Sequence, residues 1–258
     1  MKIFATSDVH IDYKQNRKWL FQLSPSQYSK DILILAGDLT DDLSLLEESF
    51  AKLASVFYKV LYVPGNHELW VVRDSTTRID SLQKFDFILQ LAKKCGILTE
   101  PVHLANVSIV PLFSWYDYSF GSPSPLLLGT WMDFHNCLWP DGFPSPVEVT
   151  NFFLQQNRTA LQSDNETIIS FSHFLPRIDL MPFYIPEKYH YLYPVFGSLQ
   201  LEAQIRQLQS KVHVYGHSHV NNTMTIDGIK YINNAYGYPS ETRIAQKSLE
   251  CIYHLQDD

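Results

Sequence analysis

The sequence predicts an α/β fold from two regularities in the spacing of its apolar residues. Short apolar runs, such as residues 31–36, have the length of strands, and their near-continuous hydrophobicity indicates burial on both faces of a sheet. Between the runs, apolar residues recur at spacings of three and four, as expected for helices that pack by one face. Buried strands that alternate with helices are typical of a parallel or mixed sheet covered by helices.

The strands are marked by short apolar or alternating runs. They are expected at 2–6, 31–36, 60–63, 107–113, 167–172, 212–215, 223–226, 228–233 and 249–254. The Asp227-Gly228 pair predicts a tight turn between two of the last strands, because both residue types favour turns.

Four helices are expected between the strands. The first follows Asp41-Asp42, and it carries one apolar stripe at helical spacing, formed by Leu43, Leu46, Phe50, Leu53 and Phe57. The second runs from about 76 to 94, with lysines in its last turn and Gly96 as its stop. The third follows Pro146 and the fourth follows Ser198.

Two aromatic-rich segments, at about 115–146 and 176–197, show no clear period. Long irregular segments in a compact domain are usually functional or disordered, and the aromatic content argues for order. The aromatic residues of the first segment form either a wall of the site or the private core of a compact loop, and we favour the second, with one or two reaching the site. They are Trp115, Tyr116, Tyr118, Phe120, Trp131, Phe134 and Trp139.

Composition restricts the class of protein. A chain of 258 residues with 45% hydrophobic residues suits one domain, spanning 1–258, with a sizeable core. The net charge of −7 argues against a general nucleic-acid partner, and no apolar run is long enough for a membrane span. Three widely spaced cysteines and the strand-like start indicate a cytoplasmic protein with reduced thiols, and the oligomeric state stays open.

Polar residues that can bind metals follow five of the predicted strands. The motifs are Asp8-Val9-His10, Gly37-Asp38-Leu39-Thr40-Asp41, Gly65-Asn66-His67-Glu68, His173, and Gly216-His217-Ser218-His219. In an open α/β sheet, the crevice beyond the carboxyl ends of the strands is the usual ligand site. A mixed cluster of oxygen and nitrogen donors suits manganese, iron or zinc.

This order of motifs resembles the calcineurin-like metallophosphoesterase family, whose members carry D-x-H, G-D-x-x-D, G-N-H-[DE], a lone His and G-H-x-H. Each motif is weak alone, but all five occur here in order and each follows an apolar run. The resemblance covers positions 8 to 219. It implies a four-layer α/β/β/α sandwich, in which two mixed sheets pack face to face with helices outside.

The resemblance also implies two metal ions and the residues that bind them. Asp8, His10 and His219 would hold the first ion, Asn66, His173 and His217 the second, and Asp38 would bridge both. A metal-bridging hydroxide would then attack the phosphorus of a phosphate ester. His67 would lie over the phosphate and protonate the leaving oxygen.

Further residues have both a functional and a structural interpretation. Asp41 matches the carboxylate that pairs with the His67 equivalent in phosphoprotein phosphatases, but it could equally cap a helix. Glu68 completes the G-N-H-E motif, but we expect it only to stabilise the turn. Asn66 and His67 are candidates for substrate contact, and so are Arg177 and Arg73, although a surface position is commoner for an arginine.

The activity that follows is hydrolysis of a small-molecule phosphodiester or phosphomonoester. A serine/threonine protein phosphatase is an alternative that shares G-N-H-E, but Asp41 is followed by Asp42-Leu43 instead of the arginine expected in those enzymes. A non-catalytic metal-binding scaffold is the second alternative, and the complete ligand set disfavours it.

Overall fold

Two mixed sheets lie face to face in the computed structural model, which describes residues 1–72, 79–104, 106–162 and 165–255. The first sheet has the strand order β10-β1-β2-β3. Its strands are β1 (Lys2–Thr6), β2 (Ile32–Ala36), β3 (Lys59–Val63) and β10 (Glu250–His254). The three earlier strands are parallel, and β10 pairs antiparallel with β1 at the edge.

The second sheet has the strand order β4-β5-β6-β7-β9-β8. Its strands are β4 (Val102–Leu104), β5 (Val107–Pro111), β6 (Thr167–Phe171), β7 (Val212–Tyr215), β8 (Asn222–Ile226) and β9 (Ile229–Asn233). The four central strands are parallel, whereas β4 and β8 are antiparallel edges. The nine predicted strands are therefore confirmed within one or two residues at their ends, and β4 is an addition.

Eight α-helices connect the strands within the described ranges. They are α1 (Lys14–Gln22), α2 (Pro25–Tyr28), α3 (Leu43–Val56), α4 (Ser81–Lys94), α5 (Pro125–Thr130), α6 (Asp133–Asn136), α7 (Pro146–Gln156) and α8 (Leu199–Gln207). Short 3₁₀ helices occupy His67–Leu69, Ile178–Leu180 and Glu187–Val195.

The alternation of side chains along the strands produces two apolar layers. Ile32 and Ile34 of β2 belong to the core between the sheets, where they join residues such as Ile109 of β5. Leu33 and Leu35 point the other way and pack in the layer of the outer helices. Each central strand is buried on both faces, which explains its continuous hydrophobic run, and the predicted sandwich is confirmed.

The helices differ from the expectations in three ways. The helix expected from about 76 begins at Ser81. Asp80 accepts a hydrogen bond from the backbone N–H of Gln83 and forms a capping box, which starts the helix there. Positions 76–78 lie outside the described residues. Helix α1 was not predicted. The two irregular segments contain α5, α6 and two of the 3₁₀ helices, so they are less irregular than the sequence indicated.

No helix within the described ranges is both long and apolar enough to cross a bilayer. All three cysteines carry free thiols, as expected.

Candidate metal centre

The loops that follow β1, β2, β3, β6 and β7 bring their polar side chains to one edge of the paired sheets. Two groups of atoms that could bind a metal ion form there, each with all its atoms within 4.8 Å of one another. The first group contains Asp8, His10, Asp38 and His219, the second contains Asp38, His173 and His217, and every member is buried. Asp38 is common to both groups.

The backbone at this edge is unusual. Five of the residues in these groups, Asp8, His10, Asp38, His217 and His219, have positive φ angles between 45° and 68°. Left-handed backbone is uncommon for residues other than glycine, and each instance costs about 1–3 kcal/mol. The surrounding structure therefore holds these side chains in place at the expense of local stability, a pattern typical of functional sites.

The glycines of two motifs are explained by the close packing of these loops. A Cβ atom on Gly37 would lie 2.5 Å from the Nδ1 atom of His173, and one on Gly65 would overlap the carboxylate of Asp38. Glu68 fastens the same loops, because its buried carboxylate accepts hydrogen bonds from the backbone N–H groups of Asp38 (3.0 Å) and Gly65 (2.8 Å). Its expected turn-stabilising role is seen directly.

Acceptors in the protein fix which ring nitrogen of each histidine faces the second group. The Nδ1 atom of His173 lies 2.9 Å from the carbonyl oxygen of Ala36, and the Nε2 atom of His217 lies 3.1 Å from that of Val195. A carbonyl oxygen only accepts, so these two nitrogens carry the protons. The remaining nitrogens, His173 Nε2 and His217 Nδ1, are therefore unprotonated in the neutral rings and face each other at 3.0 Å.

That arrangement fits a cation. Two nitrogen lone pairs that face each other at 3.0 Å repel, and the side-chain oxygen of Asn66 lies 3.1 Å from the same His173 nitrogen. A positive ion among these donors would turn the repulsion into three ligand bonds. The mixture of imidazole, carboxylate and amide donors suits manganese, iron or zinc.

The first group is equally crowded, but carboxylates flank one of its histidines on both sides. The Nε2 atoms of His10 and His219 lie 3.0 Å apart, and that of His219 lies 3.3 Å from a carboxylate oxygen of Asp8. The other ring nitrogen of His219 is hydrogen-bonded to Glu241 at 2.7 Å. A carboxylate behind a histidine orients the ring and raises its basicity toward a metal.

The electrostatics of the cluster reflect crowded, buried charges. Burial lowers the pKa of His10 and of His217 well below the ordinary value, and neighbouring imidazoles lower both pKa values further. Burial alone would also lower the pKa of His219, but Asp8 and Glu241 raise this pKa to about 9. Burial raises the pKa of Asp38, and the charges of Glu68 and Asp8 add to the increase. The lowered pKa values keep His10 and His217 neutral, as metal binding requires, whereas the raised pKa values of His219 and Asp38 mean that these two groups would give up a proton when a metal ion binds.

His67 lies at the mouth of the cluster. Its Nε2 atom is 3.7 Å from a carboxylate oxygen of Asp38, and its side chain is 17% exposed, whereas that of Asp38 is 2% exposed. The ring stacks on Trp70 with a centroid distance of 3.7 Å. His67 is thus held beside the cluster and is partly accessible to solvent, a position compatible with the expected acid role.

The remaining candidate residues lie in different surroundings. Asp42, and not Asp41, caps α3 by accepting from the N–H of Leu45, which removes the capping interpretation of Asp41. The guanidinium of Arg177 is hydrogen-bonded to Asp179 and Glu202, so its described contacts lie within an ion-pair network and not with the metal-binding groups. Arg73 lies outside the described residues.

Several residues of the site carry no recognisable motif. Glu241 orients His219, and the ring of Tyr238 lies over His10 and His219 with centroid distances of 4.5 and 4.7 Å. Asp133 accepts a 2.8 Å hydrogen bond from the side-chain amide of Asn66. The only sequence feature that pointed to Asp133 was its position in the aromatic-rich segment 115–146. Glu241 and Tyr238 follow the last motif, and no sequence feature pointed to either of them.

The aromatic residues of segment 115–146 divide between the core and the site, but the core that they join is shared with the rest of the fold and is not private to the loop. Trp115 and Tyr116 are buried against each other in the core. Trp131 reaches the site, because its ring packs edge-on against His217 with a centroid distance of 5.7 Å. Phe174 and Phe196 enclose the same imidazole from other sides.

Comparisons with known proteins identify relatives of this chain. The acyl-carrier-protein phosphodiesterase PptH of Mycobacterium tuberculosis is 28% identical to this chain over 262 aligned residues, which cover 93% of this chain and 79% of PptH. The crystal structure of the phosphopantetheinyl hydrolase PptH from the same organism superimposes with a TM-score of 0.79 and 27% identity, covering 94% of this chain and 91% of that one.

A crystal structure of a protein from Thermus thermophilus shares the fold, with a TM-score of 0.50 and 12% identity over 90% of this chain and 88% of that one. The sequence model of the family described as calcineurin-like phosphoesterase matches residues 1–221. The chain therefore belongs to the calcineurin-like phosphoesterase family, whose members are metal-dependent phosphoric ester hydrolases.

Proposed function

We propose that this protein is a phosphodiesterase with two metal ions that releases phosphopantetheine from a carrier protein. The observation that carries the proposal is the complete double ligand set around Asp38 in a chain that resembles PptH along nearly its full length. Its substrate would thus be a protein-linked diester, more specific than the small phosphate esters that the sequence alone favours.

Each group of donors would hold one ion. Asp8, His10 and His219 would bind the first, and Asn66, His173 and His217 the second. Asp38 supports a shared site because its carboxylate oxygens lie 3.9 Å from His10 Nε2 and 3.6 Å from His173 Nε2, one histidine of each group. Bound ions would supply an activated water and offset negative charge on the phosphate.

The residues of the chain supply positioning and a proton. In the hydrolysis, the oxygen of water forms a bond to phosphorus while the bond from phosphorus to the carrier serine oxygen breaks. The serine alkoxide is a poor leaving group, so a proton must reach that oxygen. His67, stacked on Trp70 at the exposed side of the site, would donate it.

Asn66 would serve the metal more than the substrate. Its amide nitrogen donates to Asp133, and its oxygen is directed at His173. Both polar atoms of the Asn66 side chain therefore have partners within the site. Asp41 remains a candidate partner of His67.

The test is incubation of a phosphopantetheinylated carrier protein with the enzyme and manganese, followed by intact-mass analysis of the carrier. We expect the carrier to lose the mass of phosphopantetheine and to regain a free serine hydroxyl, and the Asp38→Asn variant to leave it unchanged. Rapid hydrolysis of bis-p-nitrophenyl phosphate with an unaltered carrier would overturn the substrate assignment. Inactivity on both would overturn the reaction itself.

A further inference from the structure

We infer that the exposed face of helix α1 is the docking surface for the acidic side of the carrier protein. This inference rests on the proposed function. The face consists of Lys14, Arg17, Lys18 and Phe21, and we call it the α1 face; all four residues are exposed.

The α1 face is positive within a negative protein. Residues 13–29 contain three basic side chains and no acidic one, although the chain as a whole has a net charge of −7. Lys14, Arg17, Lys18 and Phe21 follow the spacing i, i+3, i+4, i+7, which places them on one side of a helix. The opposite side of α1 is buried through Asn16 and Leu20. The basic residues are therefore gathered on a single outward stripe.

The stripe borders a concave surface. A shallow groove of about 360 Å³ is lined by these four residues and by Glu48 of α3. Inside the described ranges, none of the three basic side chains forms an ion pair. Arg17 donates its Nε–H to the carbonyl oxygen of Ile11, which leaves its charge without an acidic partner there. With one acid among three bases, the groove has a surplus of positive charge for an acidic partner.

Helix α1 is fastened to the metal-binding loop. The side-chain amide of Asn16 donates to the carbonyl oxygens of Val9 (2.7 Å) and Gly237 (3.0 Å). Val9 lies between Asp8 and His10, and Gly237 precedes Tyr238. A partner held on α1 is therefore held in a fixed position relative to the candidate metal ligands.

An aromatic pair connects the α1 face with the site. Tyr13, the residue before α1, is 46% exposed, and its ring lies 5.4 Å from that of Tyr238, centroid to centroid. Tyr238 in turn lies over His10 at 4.5 Å. The nine-residue helix is about 14 Å long, so the whole α1 face lies within the footprint of a small protein placed over the site.

The chemistry of the substrate requires such a contact. The bond that breaks joins phosphorus to a serine of the carrier protein, so the carrier surface must come within one side chain's length of the metal centre. Enzymes can select a macromolecular substrate by charge complementarity outside the reacting atoms, and this raises the rate of association. A carrier surface rich in aspartate and glutamate matches three exposed cations beside the site entrance.

The experiment compares two charge-matched double variants of the full-length, manganese-loaded enzyme. Lys14→Glu/Lys18→Glu reverses the α1 face. Lys30→Glu/Lys211→Glu makes the same change in net charge, but both residues are exposed and precede the amino ends of β2 and β7, opposite the site. Initial rates are measured with phosphopantetheinylated carrier protein and with bis-p-nitrophenyl phosphate at several salt concentrations.

We expect the α1 variant to lose about tenfold or more in kcat/KM for the carrier protein, mainly through KM, and to keep its rate with the small diester. The control variant should keep both. High salt should lower kcat/KM of the wild type toward that of the α1 variant, because exposed charges are screened.

Equal losses in the two variants would overturn the docking assignment, and so would an equal loss with both substrates. Tight binding of a single-stranded oligonucleotide that only the α1 variant loses would assign the face to nucleic acid instead. A wild-type enzyme that cleaves the small diester but never the carrier would refute the proposed function, and the docking inference with it.

Discussion

Asp133 accepts a hydrogen bond of 2.8 Å from the side-chain amide of Asn66. The same carboxylate oxygen accepts from the indole N–H of Trp70 at 2.7 Å, and the other oxygen accepts from that of Trp131 at 2.8 Å. One buried carboxylate thus supports a candidate metal ligand, the ring stacked on His67 and the ring packed on His217.

Replacing this carboxylate should weaken the metal site without removing a ligand. In Asp133→Asn, one oxygen acceptor becomes an N–H donor that faces another donor, so either Trp131 or both Asn66 and Trp70 lose their hydrogen bond. We expect a loss of about 10–100-fold in metal affinity or turnover, the range typical of residues that orient metal ligands. Manganese titration followed by rates measured at saturating metal separates the two effects. Unchanged affinity and turnover would show that Asp133 does not position the site.

Glu241 offers an independent test on the other ion. Glu241→Gln keeps a hydrogen-bonding group behind His219 but removes the charge that favours the ring as a ligand. We expect about 10-fold or greater weakening of one metal equivalent. The control is Glu187→Gln, an exposed residue at the start of the 3₁₀ helix Glu187–Val195, which should bind metal as the wild type does. Identical titrations for the two variants would contradict a role for Glu241.

His67 should affect the leaving group and not the metal. His67→Ala is expected to keep its metal and to lose at least about 100-fold in turnover of esters with an alkyl leaving group, since general acids typically contribute 10²–10⁴-fold. Esters of p-nitrophenol, whose leaving group needs no proton, should be affected much less. Rates for a series of aryl and alkyl diesters measure the difference. A uniform loss across the series would rule out the acid role.

His213 should make the stability of the protein sensitive to acid. It is buried between Ser170 and Ser172, and burial lowers its pKa from 6.5 to about 3. The unfolded chain therefore takes up a proton as the pH falls below 6.5, whereas the folded protein does not until about pH 3. Stability is lost across this window, by about 2 kcal/mol between pH 7 and pH 5.

The neutral variant His213→Gln isolates this contribution. Its free energy of unfolding in urea should fall less than that of the wild type between pH 7 and pH 5, by about the same 2 kcal/mol. The difference between the two proteins cancels the effects of the other histidines. Equal pH dependence in both would mean that His213 is protonated in the folded state.

The sequence predicts the part of the site that depends on strand order. Asp8 and His219 are 211 positions apart, yet both follow buried parallel strands, and such strands deliver their following residues to one edge. The clustering of these residues follows from the topology. The cluster of donors is therefore predictable from motifs and apolar runs, whereas its division into two metal groups that share Asp38 is what the family resemblance implies.

The rest of the site depends on tertiary packing that leaves no local pattern. Glu241 and Tyr238 lie on a loop whose path is set by contacts such as that of Asn16 with Gly237. Left-handed backbone at Asp8 or His217 is imposed by neighbouring loops and has no sequence signature. Helix α5 does have a local sequence pattern, because Ser124 followed by Pro125 is typical of a helix start. The helix was missed because it has only six residues, too few for a helical period to be recognised.

The metal content of the protein tests the central claim most directly. Protein purified without chelator, loaded with manganese and freed of excess ion should contain two ions per chain and hydrolyse a phosphodiester. Asp38→Asn should lose both the metal and the activity while keeping its circular dichroism spectrum. A folded wild-type protein that holds no metal and hydrolyses nothing in the presence of added manganese would contradict the account.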